Sequence, residues 1–404
     1  MSRLFRQSLA LPLLLGAAGC PAVLPPDPGP AEPSGSPRGS PPAVPAVTFE
    51  KPQAAPADAW PLGRGCPAAT GVAGSGLGER LEWLWTFSAP KRGFESAPVV
   101  MNETVYASST SGVLYAIDLA AGHQQWQFQG QSPFTAGPAL SGHQVFIGDS
   151  DGEFYSIDAR SGKRLWQFST DGEIDSSAGF YRDCVLVGSQ DGFLYCLKAD
   201  TGELVWKYET HDQVRSSPTI VDHRCFLAGC DGRLHVIDLD TGKGLAKVPM
   251  DSPTGCTPSV MGGWLFVGTE ERGFLAIDPA KAEVRWRFEA EEQAAFRSSS
   301  AVTPEAILVG CQDKTLQALE PASGRPLWSF STRGRVDSSP AVAAGRVFFG
   351  SSDGRIYGLE IKTGRQVWRF EAGGSITGSP AIAAGRLVIG TDAGRLYCFG
   401  EKPR

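Results

Sequence analysis

Hydrophobic and polar positions recur along this chain with a period of about forty residues, and tryptophan marks each period. Trp126, Trp166 and Trp206 share one slot of the repeat, Ala246 takes the next, and Trp286, Trp328 and Trp368 continue it. Each period holds four segments. The first is small and polar and runs into proline, as in Ser338-Ser339-Pro340-Ala341-Val342. The second is a continuous apolar run closed by glycine, such as Cys184 to Gly188 or Arg346 to Gly350. Short runs rich in Val, Ile and Phe predict strands buried on both faces. The third alternates around a Tyr-x-Ile-Asp phrase, as in Tyr155-Ser156-Ile157-Asp158. The fourth carries the Trp and an aromatic two residues later, so both point to one face of a strand.

Turn residues separate these segments. Asp151-Gly152, Asp191-Gly192, Asp231-Gly232 and Asp353-Gly354 stand between the second and third. Ser161-Gly162, Thr201-Gly202, Thr241-Gly242, Ser323-Gly324 and Thr363-Gly364 stand between the third and fourth. Asp-Gly between apolar runs predicts a tight hairpin. No segment keeps a helical period. Four antiparallel strands per repeat make the blade of an all-β propeller.

First strands begin near Glu95, Thr135, Asp175, Arg215, Gly255, Arg297, Asp337 and Thr377, which predicts eight blades. The chain ends soon after Tyr397-Cys398-Phe399, before a last fourth strand. Leu84-Trp85-Thr86-Phe87 matches Val367-Trp368-Arg369-Phe370. A strand near 82–88 is therefore expected to complete the final blade and remove both open edges. The repeat thus fills 81–404 as one domain, and a monomer is expected. Ala246, with Pro249 nearby, marks the outer strand expected to be loosest.

The N-terminus reads differently. Arg3 and Arg6 precede an apolar stretch from Leu9 to Leu15, and Ala17-Ala18-Gly19-Cys20 follows. This predicts a signal peptide over 1–20. Small residues directly before a cysteine resemble the lipobox of bacterial lipoproteins, which implies lipidation at Cys20. Residues 21–80 are rich in Pro and Gly and predict a disordered tether, about 45 Å long as a coil. A protein facing the periplasm from the outer membrane is expected, touching the membrane through its lipid alone. The net charge is −6, without a basic tract, so nucleic acid is not an expected partner. The cysteines beyond Cys20 are read as small buried apolar residues. A hairpin at Asp191-Gly192 would set Cys196 opposite Val187, too far along the strand from Cys184 for a disulfide.

Candidate chemistry is sparse. The five histidines do not cluster, and no metal site is expected. Gly148-Asp149-Ser150-Asp151-Gly152 and Gly350-Ser351-Ser352-Asp353-Gly354 fit a nucleophile-elbow pattern, but such an elbow needs a strand-to-helix turn. Asp118, Asp158, Asp238 and Asp278 recur at one repeat position and are expected to bind the following turn. No catalytic residue is assigned. One ring merits a hypothesis: the first-strand starts around the axis include Glu95, Asp175, Arg215, Arg297 and Asp337. Asp175 beside Arg215, and Arg297 beside Asp337, are either ordinary interblade ion pairs or a rim that binds a polar ligand or partner loop.

The phrase from Tyr115-Ala116-Ile117-Asp118 to Trp126-Gln127-Phe128, with its later copies, resembles the PQQ-type propeller repeat of quinoproteins. The resemblance implies that Trp85, Trp126, Trp166, Trp206, Trp286, Trp328 and Trp368 dock blade on blade. One branch of that family holds pyrroloquinoline quinone and calcium on the axis and acts as a dehydrogenase. Its adjacent cysteine pair and its long loop insertions are absent here. Another branch consists of cofactor-free lipoproteins serving the outer-membrane β-barrel assembly machinery. The resemblance to that branch implies a non-enzymatic scaffold for a protein partner, with the quinoprotein dehydrogenase or sensor as the alternative.

Overall fold

The computed structural model describes residues 50–402 except 91, 92 and 272. The segment 1–20 with Cys20, and residues 21–49, lie outside the described residues. Thirty-two strands form eight four-stranded antiparallel sheets. In the first, Val99–Met101, Thr104–Ser108, Val113–Asp118 and Gln124–Gln129 pair in chain order. Six more repeat this order, and the inner strands of neighbouring blades touch around the axis. The last blade differs: Glu82–Ser88 supplies its outer strand, pairing from Glu82↔Gly400 to Ser88↔Arg395. The ring is an eight-bladed β-propeller closed by its N-terminal strand, so no blade lacks its fourth strand.

Burial follows the segment types. The second and third strands are buried along most of their length because each blade is sandwiched between two others. One core layer joins Tyr106, Leu114 and Ala116 of blade 1 to Leu140, Ile147 and Tyr155 of blade 2. Outer strands instead alternate, as in Arg164–Ser169, where Trp166 and Phe168 are half-buried and their neighbours exposed. Third-strand aspartates cap the turns that follow. Asp158 accepts from the Ser161 backbone at 2.8 Å, and Asp238 accepts from that of Thr241 at 2.8 Å. Both copies of the elbow-like pattern run strand to strand.

Every outer strand carries a bulge at the residue before the Trp slot. Ser156 pairs with Trp166, but Ile157 pairs with Arg164, which leaves Leu165 without a partner. Seven blades repeat this shift at the same place, and the closing strand shifts between Trp83 and Trp85. A bulge bends and twists the strand, and on an outer edge it hinders pairing with a second chain. It also turns an apolar residue outward, which accounts for exposed Leu165, Val205, Leu245, Leu327 and Val367.

The tryptophans join the blades. The indole N–H of Trp85, Trp126, Trp166, Trp286, Trp328 and Trp368 donates to Leu119, Ala159, Ala199, Pro321, Ile361 and Leu81 carbonyls at 2.7–3.1 Å. The ring also covers the turn glycine of the next blade. A Cβ on Gly202 would lie 2.7 Å from the Trp166 ring, and one on Gly242 2.6 Å from Trp206. Only a residue without a side chain fits there. Where the Trp is lost, at Ala246, the facing turn holds Ala282 instead of Gly, still at φ +53°. The two halves of the contact are absent together. The strand around Ala246, Gly244–Pro249, nevertheless keeps the common register and buries Val248.

Two expectations need correction. Cys196 pairs with Leu186, not Val187. It therefore shares a face with Cys184, two positions away, because the turn holds one residue more than an Asp-Gly hairpin. The larger correction concerns the tether. Residues 50–80 are not loose: Trp60 is fully buried, and Ala55, Leu62, Cys66, Ala68 and Thr70 are buried with it. The reason lies in the inner strands, whose outward-running ends offer backbone groups around one mouth of the ring. Composition does not reveal such partners.

A channel closed at one mouth

Each first strand starts at one mouth of the axial channel and ends at the other. At the far mouth the segment 55–72 travels around the ring. Val100 donates to Trp60 at 2.9 Å, Leu140 to Pro61 at 2.9 Å, Ile220 to Pro67 at 2.8 Å and Val260 to Ala68 at 3.0 Å. Val302 donates to Thr70, Val342 to Gly71 and Ala384 to Ala57, at 2.8–3.0 Å. Seven of the eight blades thus bond to one short stretch of chain. At the third blade, Gly63 lies near Ser177, 3.6 Å from where a Cβ would sit. The segment is a plug, and the sequence signal that could have found it is the isolated Trp60-Pro61-Leu62 within a stretch rich in Ala, Pro and Gly.

The near mouth carries the expected ring. Arg215 donates to Asp175 at 2.9 and 3.0 Å. Asp175 also accepts from Thr135 at 2.9 Å and from Gln190 at 2.7 Å. Glu173 joins this group through Gln190 at 3.1 Å. Burial, and then the adjacent Asp175 carboxylate, raise the Glu173 carboxyl above its ordinary range. Arg297 is not paired with Asp337. It forks onto Glu270 at 3.0 and 3.2 Å, while Asp337 accepts from Gln312 at 3.2 Å. The rim has two rows, strand starts and the hairpin tips after second strands. Tips such as Gln190, Glu270 and Gln312 supply partners that the row of starts alone does not show. Glu95 sits beside Thr377, whose hydroxyl reaches the Glu95 carbonyl at 3.5 Å.

One histidine has a place that the sequence reading missed. His235 stands where other blades hold tyrosine. Tyr195 and Tyr357 donate to Asp191 and Asp353 at 2.7 Å; His235 Nε2 meets the equivalent Asp231 at 3.0 Å. Its Nδ1 meets the Tyr208 hydroxyl at 3.1 Å. The side chain is fully buried and keeps the blade's internal bond rather than facing the channel.

The fold and the repeat define a PQQ-type β-propeller. The family model described as outer membrane protein assembly factor BamB matches residues 82–177, 155–245 and 295–399, and the chain belongs to that family. A model described as the β-propeller domain of glucose/ethanol/alcohol dehydrogenase matches residues 239–340. No curated protein matches the sequence. Among solved structures, BamB from Moraxella catarrhalis is 20% identical with a TM-score of 0.67, covering 80% of this chain and 99% of its own. Quinohemoprotein alcohol dehydrogenase from Comamonas testosteroni is 15% identical with a TM-score of 0.73, covering 86% and 81%. A europium-containing methanol dehydrogenase is 15% identical with a TM-score of 0.74, covering 86% and 98%. At these identities the likeness is one of fold.

A quinone with calcium does not fit the near mouth. None of its eight strand-start residues is aromatic, so nothing in that row offers a face for a planar ring. Its Asp175 and Glu270 carboxylates are engaged by Arg215 and Arg297. No cluster of three or more metal-ligating side chains occurs among the described residues.

Proposed function

We propose that this propeller is a non-enzymatic scaffold, anchored by a lipid on Cys20 at the periplasmic face of the outer membrane, that binds a protein partner during β-barrel assembly. The observation that carries this reading is a row of apolar side chains on three consecutive outer strands. Leu165, Leu204, Val205 and Leu245 are each 45–53% exposed. Bulges present Leu165, Val205 and Leu245 outward while discouraging strand-to-strand aggregation. Exposed apolar side chains on neighbouring strands of one domain mark a protein contact; blades 6 to 8 carry a second, sparser set in Leu327, Val367 and Trp83. Membership in the BamB family supports the same reading. The bulges also bear on how a partner binds: side-chain contact at blades 2 to 4 is favoured over addition of a strand along the whole edge.

The test is photocrosslinking in intact cells from residues introduced at Leu165, Val205 and Leu245, with Val367 as the opposite-side control. Capture of an outer-membrane barrel protein from the first three positions alone is expected. Equal capture from Val367, or recovery of bound quinone and a cytochrome, would overturn the proposal. Cys20→Ala should release the protein from the membrane fraction.

A further inference from the structure

Arg64 is the buried charge that the fold leaves unexplained. It belongs to the plug and is only 7% exposed. Nη2 donates to the Ser300 carbonyl at 2.9 Å and to the Pro340 carbonyl at 2.7 Å. Nε and Nη1 are buried and have no hydrogen-bond partner among the described residues. Burial lowers its pKa to about 10, and no carboxylate pairs with it among the described residues. A guanidinium remains protonated even so, and an uncompensated buried cation is strongly unfavourable.

The residues beside those two carbonyls belong to a ring of hydroxyls. Backbone N–H groups of Ser177, Ser217, Thr257, Ser299 and Ser339 donate to Oγ of Ser217, Thr257 (Oγ1), Ser299, Ser339 and Ser379 at 2.9–3.2 Å. Each accepting oxygen belongs to the next blade, so the chain of bonds runs around the axis. Accepting that bond leaves each hydroxyl hydrogen free to donate, and none has an acceptor among the described residues. Thr257, Ser299, Ser339 and Ser379 are 8–9% exposed. Blades 1 and 2 hold Ala97 and Gly137 at this level, so the donors line one side. A cation with two unused N–H groups and an arc of unused O–H groups are what a small anion requires.

We propose that the closed end of the axial channel binds one small monovalent anion, a halide or a single carboxylate group, between Arg64 and the hydroxyls of Ser299 and Ser339. The anion neutralises the plug's charge and locks the plug to blades 6 and 7. Its charge is matched by one guanidinium, which disfavours phosphate and larger polyanions.

Bromide tests this directly. Full-length protein is crystallised and soaked in sodium bromide, and thermal unfolding is followed against bromide concentration at constant ionic strength. An anomalous peak within about 3.5 Å of Arg64, and a saturable rise in melting temperature, are expected. Ser339→Ala should weaken the apparent bromide affinity about tenfold. Arg64→Met should abolish the dependence; if it fails to fold, Ser299→Ala/Ser339→Ala takes its place. Acetate that displaces the bromide peak identifies a carboxylate ligand, and acetate without effect identifies a halide. A bromide peak only at surface positions, or a melting temperature equally bromide-dependent in the variants, overturns the site.

Discussion

Gly202 offers a clean measure of how the blades are locked. It has φ +75°, and a Cβ there would lie 2.7 Å from Trp166 Cε3 and 2.8 Å from Cδ2. Gly202→Ala therefore incurs two costs. A left-handed backbone costs an L-residue roughly 1–2 kcal/mol. Forcing a methyl group into a packed ring costs about 1–3 kcal/mol more. The expected loss is about 2–5 kcal/mol, summed from these two ranges. Gly192 in the same blade separates the terms. It has φ +89°, yet its nearest neighbour to an added Cβ is the Asp212 carbonyl oxygen at 3.4 Å. Gly192→Ala should cost only the backbone share. The reduced entropy of the unfolded chain acts alike in both variants and cancels in the comparison. Urea unfolding followed by tryptophan fluorescence measures both. Equal losses would refute the claim that the indole dictates glycine at this turn.

The interface that lacks Trp should respond in the opposite sense. Ala282→Gly relieves a strained backbone, and Ala246→Trp added to it should show favourable coupling of about 1 kcal/mol or more in a double-mutant cycle. Independent effects would count against the paired loss. Glu173→Gln should stabilise the protein at neutral pH. Its folded carboxyl is raised by burial and then by Asp175, so its contribution is present below the ordinary glutamate range and lost as pH rises through the raised value. The gain should vanish near pH 4; an equal gain at both pH values contradicts this. Trp60→Ala empties a fully buried site in the plug and should cost about 3–5 kcal/mol. Limited proteolysis should then cut within 50–73 before the blades, and unchanged protection would mean that the plug does not depend on Trp60.

The mouth ring divides what could be read in advance from what could not. Its strand starts are legible because six of the eight lie three residues before a proline, and the other two, Asp175 and Arg297, fall at the same place in the repeat. The Asp175–Arg215 contact joins neighbours within that row. Arg297 turns instead to Glu270, on a hairpin tip of the preceding blade, because tips and starts interleave in space though not in sequence. In the sequence His235 is one of five scattered histidines; in the fold Asp231 and Tyr208 stand on either side of it.

The sequence by itself determined the strands, the places where the chain turns, the number of blades and the closing strand at Glu82–Ser88. These follow from local rules: alternation, apolar runs, and glycine where the backbone turns left-handed. Only the tertiary structure decided the fate of residues 50–80. That segment has no period of its own, and it is ordered by backbone bonds to seven blades up to about 330 residues away. Backbone groups are the same in every residue, so no pattern of side chains announces them. The same assembly buried Arg64 with no carboxylate partner among the described residues and bonded it to two carbonyls next to a ring of hydroxyls from separate repeats.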